Sequence, residues 1–219
     1  MAIEEPAFDI LSTTDDYEIR QYAPSIVAEI DVEGDMNKAG GDAFRVLAGY
    51  IFGKNQPGTK MAMTAPVTSQ RAGDGERMNM TAPVMSTAAD DGSKAYTYAF
   101  LMESKYSMDT LPKPLDPRVR LVEKPARVVA VRQYSGTWSS KNYRKNEELI
   151  LAALHDNGVA ISGRPYLARY NSPFTPWFLR RNEVIVEIEI PEHCSRFPCL
   201  MTRSHPLKES YRPCLLQQP

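Results

Sequence analysis

Residues 17–34 read YEIRQYAPSIVAEIDVEG, and residues 119–136 read VRLVEKPARVVAVRQYSG. In the first stretch Tyr17, Ile19 and Gln21 alternate with Glu18, Arg20 and Tyr22, which is the period of a strand. After Ala23-Pro24, a second alternation sets Ile26, Ala28, Ile30 and Val32 against Val27, Glu29 and Asp31, and it ends at Gly34. The later stretch repeats the order strand, Pro125, strand, Gly136. A helical pattern follows each. Over 37–52, Ala43, Val46 or Leu47, and Tyr50 or Ile51 recur at helical spacing, with Asp35 or Asn37 available as N-cap and Gly53 as the stop. Over 141–155 a second helix is expected, capped by Ser139 or Ser140 and bounded by Gly158.

Strand-like runs at 60–68, 78–86 and 95–102 follow the first helix, and runs at 166–170 and 183–190 follow the second. The proline-rich LPKPLDP at 111–117 suits an extended crossing segment, because proline offers no amide donor to a ladder. A β-β-α-β-β unit used twice predicts an α+β fold: a distorted antiparallel sheet or open barrel flanked by two helices. The two halves share element order and little residue identity, so the duplication is one of pattern.

Composition narrows the function. The chain has 219 residues with 42% hydrophobic and 24% charged, and 26 Lys and Arg stand against 27 Asp and Glu. That near balance leaves no electrostatic footprint for nucleic acid, and no run approaches the roughly 20 apolar residues of a membrane span. Without a leader pattern at the N-terminus the expected location is cytoplasmic, or periplasmic if Ala2 begins a mature end. Cys194, Cys199 and Cys214 all fall near the C-terminus, so packing, not a disulfide framework, must stabilise residues 1–191. Residues 192–219 carry four prolines and no sustained period, and are read as an irregular tail.

Few motifs carry chemistry. GKNQPGTK at 53–60 has the glycine spacing of a phosphate loop, but Thr59-Lys60 inverts the required order and the run follows a helix. His193, Cys194, Cys199, His205 and Cys214 have spacings that fit no standard zinc site. His155 suits the C-terminal end of a helix electrostatically. The unusual feature is MTAPV, which occurs at 63–67 and again at 80–84, with Met61, Met78 and Met85 nearby. Methionine fills irregular cores, and its sulfur also ligates soft or heme metals, so both readings stand.

YEIRQYAP at 17–24, AGYIFGKN at 48–55, KMAMTAPV at 60–67, the second MTAPV, LPKPLDP, ARYNSP at 168–173 and RRNEV at 180–184 together resemble the SOUL heme-binding family. The resemblance runs from about residue 5 to 190. It implies a duplicated barrel-like fold with two helices, and binding of heme or a related tetrapyrrole in a hydrophobic groove beside the first helix. The lining it implies is Leu47, Tyr50, Ile51, Met61, Met63 and Met80, with Lys60, Arg180 or Arg181 meeting propionates, since arginine donates two hydrogen bonds to a carboxylate. Where some members carry the histidine proposed as axial ligand, this chain has Gln21. Attachment would then be through Met, through Tyr50 or another tyrosine, or chiefly hydrophobic.

Three readings follow. The first is a tetrapyrrole carrier or buffer without turnover. The second is a tetrapyrrole-modifying enzyme, for which Glu18, Arg20, Tyr50 and Glu183 are the available ionisable groups. The third is a small-molecule sensor or interaction module, because the duplicated fold also resembles the effector-binding domains of bacterial regulators. Arg181-Asn182-Glu183 also has a purely structural reading, pinning the last strand through hydrogen bonds.

Overall fold

Two strands joined by Ala23-Pro24 do not pair with each other, and that fact shapes the sheet. The computed structural model describes residues 3–34, 36–56, 75–88, 95–172 and 174–189, except for the side chains of 36–39. Within them lie β1 (Phe8–Thr13), β2 (Glu18–Tyr22), β3 (Ser25–Glu33), α1 (Met36–Ile51), β4 (Asn55–Gln56), β5 (Val84–Ala88) and β6 (Ala95–Leu101). There follow β7 (Lys113–Pro114), β8 (Arg120–Lys124), β9 (Arg127–Tyr134), α2 (Ser140–Asp156), β10 (Tyr166–Arg169) and β11 (Asn182–Glu187). Nine strands form one antiparallel sheet in the order β1-β2-β9-β11-β10-β5-β6-β3-β8, while β4 and β7 pair separately.

β2 and β3 stand six positions apart in that order. On a flat sheet this is about 29 Å, and a two-residue link reaches about 11 Å. The sheet must therefore curl until its ends meet, giving a half-barrel. The register shows where they meet. Tyr22 faces Arg127 and Ser25 faces Lys124, so one register continues across both links and sets Ala23-Pro24 against Pro125-Ala126. Neither proline can donate to the ladder, so pairing lapses there and both strands can bend.

Exchanging β2 with β8, β3 with β9, β5 with β10 and β6 with β11 leaves the order of these eight strands unchanged. Each helix packs on its own half: α1 against β3 and β6, α2 against β9 and β11. Beneath α1, Ala43, Leu47, Tyr50 and Ile51 meet Ala28, Ile30, Tyr98 and Phe100. Beneath α2, Ile150 and Leu154 meet Ala130, Val184 and Val186. The face away from the helices buries Val27, Ala99 and Leu101 in one half and Tyr22, Val129, Tyr166 and Ile185 in the other, with Met85 packing against both clusters.

The second helix starts where its sequence indicates: Ser139 accepts the Asn142 amide through its side chain, and Gly158 follows with φ +66°. Gly53, at φ +111°, follows the first. β9 coincides with the expected strand. Residues 78–86 are a correction: the strand there begins only at Val84. The preceding polar groups bond outside any ladder, Met78 N–H to the Ile51 carbonyl, Asn79 N–H to the Glu103 carboxylate and Ala82 N–H to the Glu4 carbonyl. The expected strand at 60–68, the first MTAPV motif and the tail lie outside the described residues.

Candidate ligand site

The stripe Ala43, Leu47, Tyr50 and Ile51 lies at the i, i+4, i+7 and i+8 spacing of one helical face. Leu47, Tyr50 and Ile51 are fully buried. Tyr50 donates its hydroxyl to the Pro112 carbonyl at 2.8 Å, which ties α1 to the proline-rich crossing segment. Burial foremost pushes the Tyr50 phenol well above its ordinary range, so it makes this bond as a neutral donor.

Beyond α1 the chain leaves at Gln56 and returns at Gly75, and Asn55 holds these ends together. Its side-chain amide donates to the Tyr50 and Glu76 carbonyls, and its side-chain oxygen accepts the Glu76 amide. Gly75 lies so near Gly53 that a Cβ on it would stand 1.9 Å from the Gly53 carbonyl oxygen, so only glycine fits at 75.

From there the chain runs back along the first half. Met78 is buried in the α1 cluster, and Met80 and Val84 pack half-buried against it. Asn79 is held at backbone and side chain by Glu103, whose carboxyl lies below its ordinary range: burial opposes the charge, and the Asn79 and Lys105 bonds outweigh it. Thr81 donates its hydroxyl to the Leu101 carbonyl. Val84 faces Phe100 across the ladder, and the Phe44 and Phe100 rings meet edge to face with centroids 5.4 Å apart. Phe44 is 42% exposed. Phe44, Met80 and Val84 thus form the accessible border of the core that contains Leu47, Tyr50 and Ile51. Behind the motif a groove of about 910 Å³ is bordered by Ile26, Leu101, Met102 and Tyr106 together with Glu4 and Glu103. Its carboxylates make it a poor seat for propionates.

The structure therefore brings together Leu47, Tyr50, Ile51 and Met80. Lys60, Met61 and Met63 lie outside the described residues. Arg180 and Arg181 belong to the other half, on the segment entering β11. Arg180 stacks 4.3 Å from the Trp138 ring centroid and donates to the Thr175 carbonyl. Arg181 stacks 3.8 Å from the Tyr170 ring centroid and binds Glu183 and Glu5. Phe44 was missed by sequence reasoning. Its one available signal was an aromatic residue on the helix flank three positions before Leu47.

Heme makes definite demands, and the described residues meet some of them. The apolar border and the Met80 thioether suit a porphyrin face and a soft ligand. Gln21 is exposed, and the described histidine, His155, is exposed on α2 beside Asp156. Among the described residues no group of three or more His, Cys, Asp and Glu could hold a metal ion. The fit is therefore to apolar contact with a thioether.

The charged residues of the enzyme reading occupy the helix-free face. The Glu183 carboxylate accepts from Arg20 at 3.2 Å, from the Tyr170 hydroxyl at 2.7 Å and from Arg181 at 2.9 Å. Glu18 binds the other side of Arg20 at 2.7 Å. Burial works against the Arg20 cation, but Glu183, Tyr22 and Glu18 outweigh it and keep the guanidinium charged. Asn182, fully buried, accepts from the Trp138 indole at 2.8 Å. The Arg181-Asn182-Glu183 run thus pins β11 largely through side-chain partners.

The family described as "SOUL heme-binding protein" matches residues 3–74 and 69–187. Heme-binding protein 2 of Homo sapiens is 30% identical over 186 residues, covering 79% of this chain and 82% of the relative. Its Mus musculus counterpart is 29% identical over 202 residues, covering 85% and 90%. Among solved structures, the C-terminal domain of EcmrR superposes with a TM-score of 0.57 at 11% identity, covering 79% of this chain and 98% of that one. An uncharacterized conserved protein from Listeria innocua superposes at 0.52 with 11% identity, covering 80% and 92%. At such identities these two structures speak for the fold alone. No described helix is long and apolar enough to cross a membrane.

Proposed function

The chain belongs to the SOUL heme-binding protein family, and on that premise we propose that it binds heme or a related tetrapyrrole as a carrier or buffer, without turnover. The ligand rests against the border of the α1 core at Phe44, Met80 and Val84, with Leu47, Tyr50 and Ile51 as the rigid floor beneath it. Membership of the family adds Lys60, Met61 and Met63 to the proposed lining. Arg180 and Arg181 serve the other half of the sheet. The observation that carries the reading is Met80, half-buried over that core on a segment whose neighbours Asn79, Thr81 and Ala82 are each tied down. A bound iron would supply Lewis acidity and redox chemistry, while the chain supplies apolar contact and a thioether.

Absorbance titration with hemin, and in parallel with metal-free protoporphyrin, tests this. A saturable one-to-one Soret shift, stable over hours, is expected. Met80→Ala should alter the bound spectrum with hemin and weaken binding about tenfold, the loss of roughly one half-buried side-chain contact. Met63→Ala reports in the same way on the first motif. Time-dependent loss of the Soret band would replace the carrier with an enzyme, and no saturable change with either compound would overturn tetrapyrrole binding.

A further inference from the structure

We propose that the loop between β10 and β11, together with the first turns of α2, is a docking surface for an anionic lipid bilayer. The loop presents Phe174, Trp177, Phe178 and Leu179 at 94%, 58%, 58% and 64% exposure. Large apolar side chains clustered this way on one turn mark an interaction surface. Backbone bonds hold the turn in place. Thr175 N–H donates to the Ser172 carbonyl, Leu179 N–H to the Pro176 carbonyl, and Gly136 N–H to the Trp177 carbonyl. The rings of Trp177 and Phe178 brace each other edge to face at 5.6 Å.

The Gly136 bond also sets the partner's chemistry, because it lays the turn beside the start of α2. Lys141, Arg144 and Lys145, all exposed, follow the i, i+3, i+4 spacing of one helical face and share a depression of about 760 Å³ with Trp177. Glu148 is the one acidic residue lining it. The whole chain is nearly neutral at −1, so this basic stripe is local. An aromatic tip that partitions into the headgroup region, flanked by cations that meet phosphodiesters, is the pairing by which peripheral proteins hold anionic membranes. The aromatic pair supplies the apolar half of the contact and the α2 stripe the charged half.

Flotation of the full chain with vesicles of equal parts phosphatidylcholine and phosphatidylglycerol, and with pure phosphatidylcholine, tests the assignment. The protein is expected to float with the anionic vesicles, more weakly as salt rises, and much less with the neutral ones. The pair Trp177→Ser with Phe178→Ser and the pair Lys141→Glu with Arg144→Glu should each weaken binding by about tenfold or more. Unchanged thermal midpoints would show that the variants fold. If the aromatic pair fails that check, Phe174→Ser at the most exposed tip takes its place. The proposal is overturned if the unaltered chain ignores anionic vesicles, or if the variants float as it does. It is also overturned if the substitutions turn a dimer into a monomer by light scattering, since a second copy would then cover the patch.

Discussion

Replacing Glu183 with alanine will lower the stability of the fold by about 3–5 kcal/mol, the cost of leaving a buried charge without its partner. Glu183 is fully buried on β11, and Arg20, reaching it from β2, is 4% exposed. The two strands do not touch, because β9 lies between them. Their side chains meet above β9, so the ion pair links three strands of the helix-free face. Removing the carboxylate leaves Arg20 with Glu18 as its one remaining carboxylate partner among the described residues, and it also strips acceptors from Tyr170 and Arg181. Urea denaturation measures the loss. Substituting both partners by apolar residues, Arg20→Met with Glu183→Leu, should cost less than Glu183→Ala alone, because no orphaned charge remains. A single-variant loss below about 1 kcal/mol, the range of an exposed pair, would show that the network is not the strut described.

Stability will also fall steeply above pH 10. Of the eleven tyrosines in the chain, Tyr17, Tyr22, Tyr50, Tyr106, Tyr134, Tyr143, Tyr166 and Tyr170 all have hydroxyls held above their ordinary range. Burial is the first cause in every case. Carboxylates add to it: Glu183 for Tyr22 and Tyr170, Glu147 for Tyr143 and Glu76 for Tyr106. Tyr134 and Tyr166 are pushed up to about 12. Between pH 10 and 12 the unfolded chain therefore sheds phenolic protons that the native state retains. The native state then binds more protons, so stability declines as pH rises. The raised pKa values contribute fully below pH 10 and lose that contribution through the alkaline window. Each buried tyrosine held neutral contributes at most about 1.4 kcal/mol per pH unit there, and the half-exposed Tyr106 less because solvent screens it, so several together weigh heavily against the roughly 5–15 kcal/mol of an ordinary domain. Tyrosinate absorbance and near-ultraviolet circular dichroism should change in one cooperative step. Gradual ionisation near pH 10 with structure intact would refute it.

The sequence showed its strands best where alternation and punctuation agreed. Residues 25–32 alternate between Pro24 and Gly34, and the strand there runs Ser25–Glu33 in the structure. β1 escaped because only Phe8 among its six residues is even half-buried, so no alternation marks it. Residues 78–83 fall short of the expected strand because their polar groups are taken up by tertiary bonds to Ile51, Glu103, Leu101 and Glu4. Of the candidate site, the buried wall was legible. Helical periodicity placed Leu47, Tyr50 and Ile51 inward, and it does not distinguish a core from the wall of a ligand groove. Arg180 and Arg181 belong to the same family pattern as Met80, but nothing in their spacing shows that they serve the other half of the sheet.

The opposed links Ala23-Pro24 and Pro125-Ala126 bear on how the chain reaches this state. β2 completes the sheet of the second half, and β8 completes that of the first. Each half therefore depends on a strand about a hundred residues away in the chain, and neither is a foldon in its own right. Such non-local pairing carries high contact order and slow folding. A chain emerging from the ribosome holds its first half with an unfilled edge beside β3 until β8 has been synthesised. During that interval the strand of a neighbouring copy competes for the same place, which makes exchange between copies the characteristic route of misassembly for this architecture.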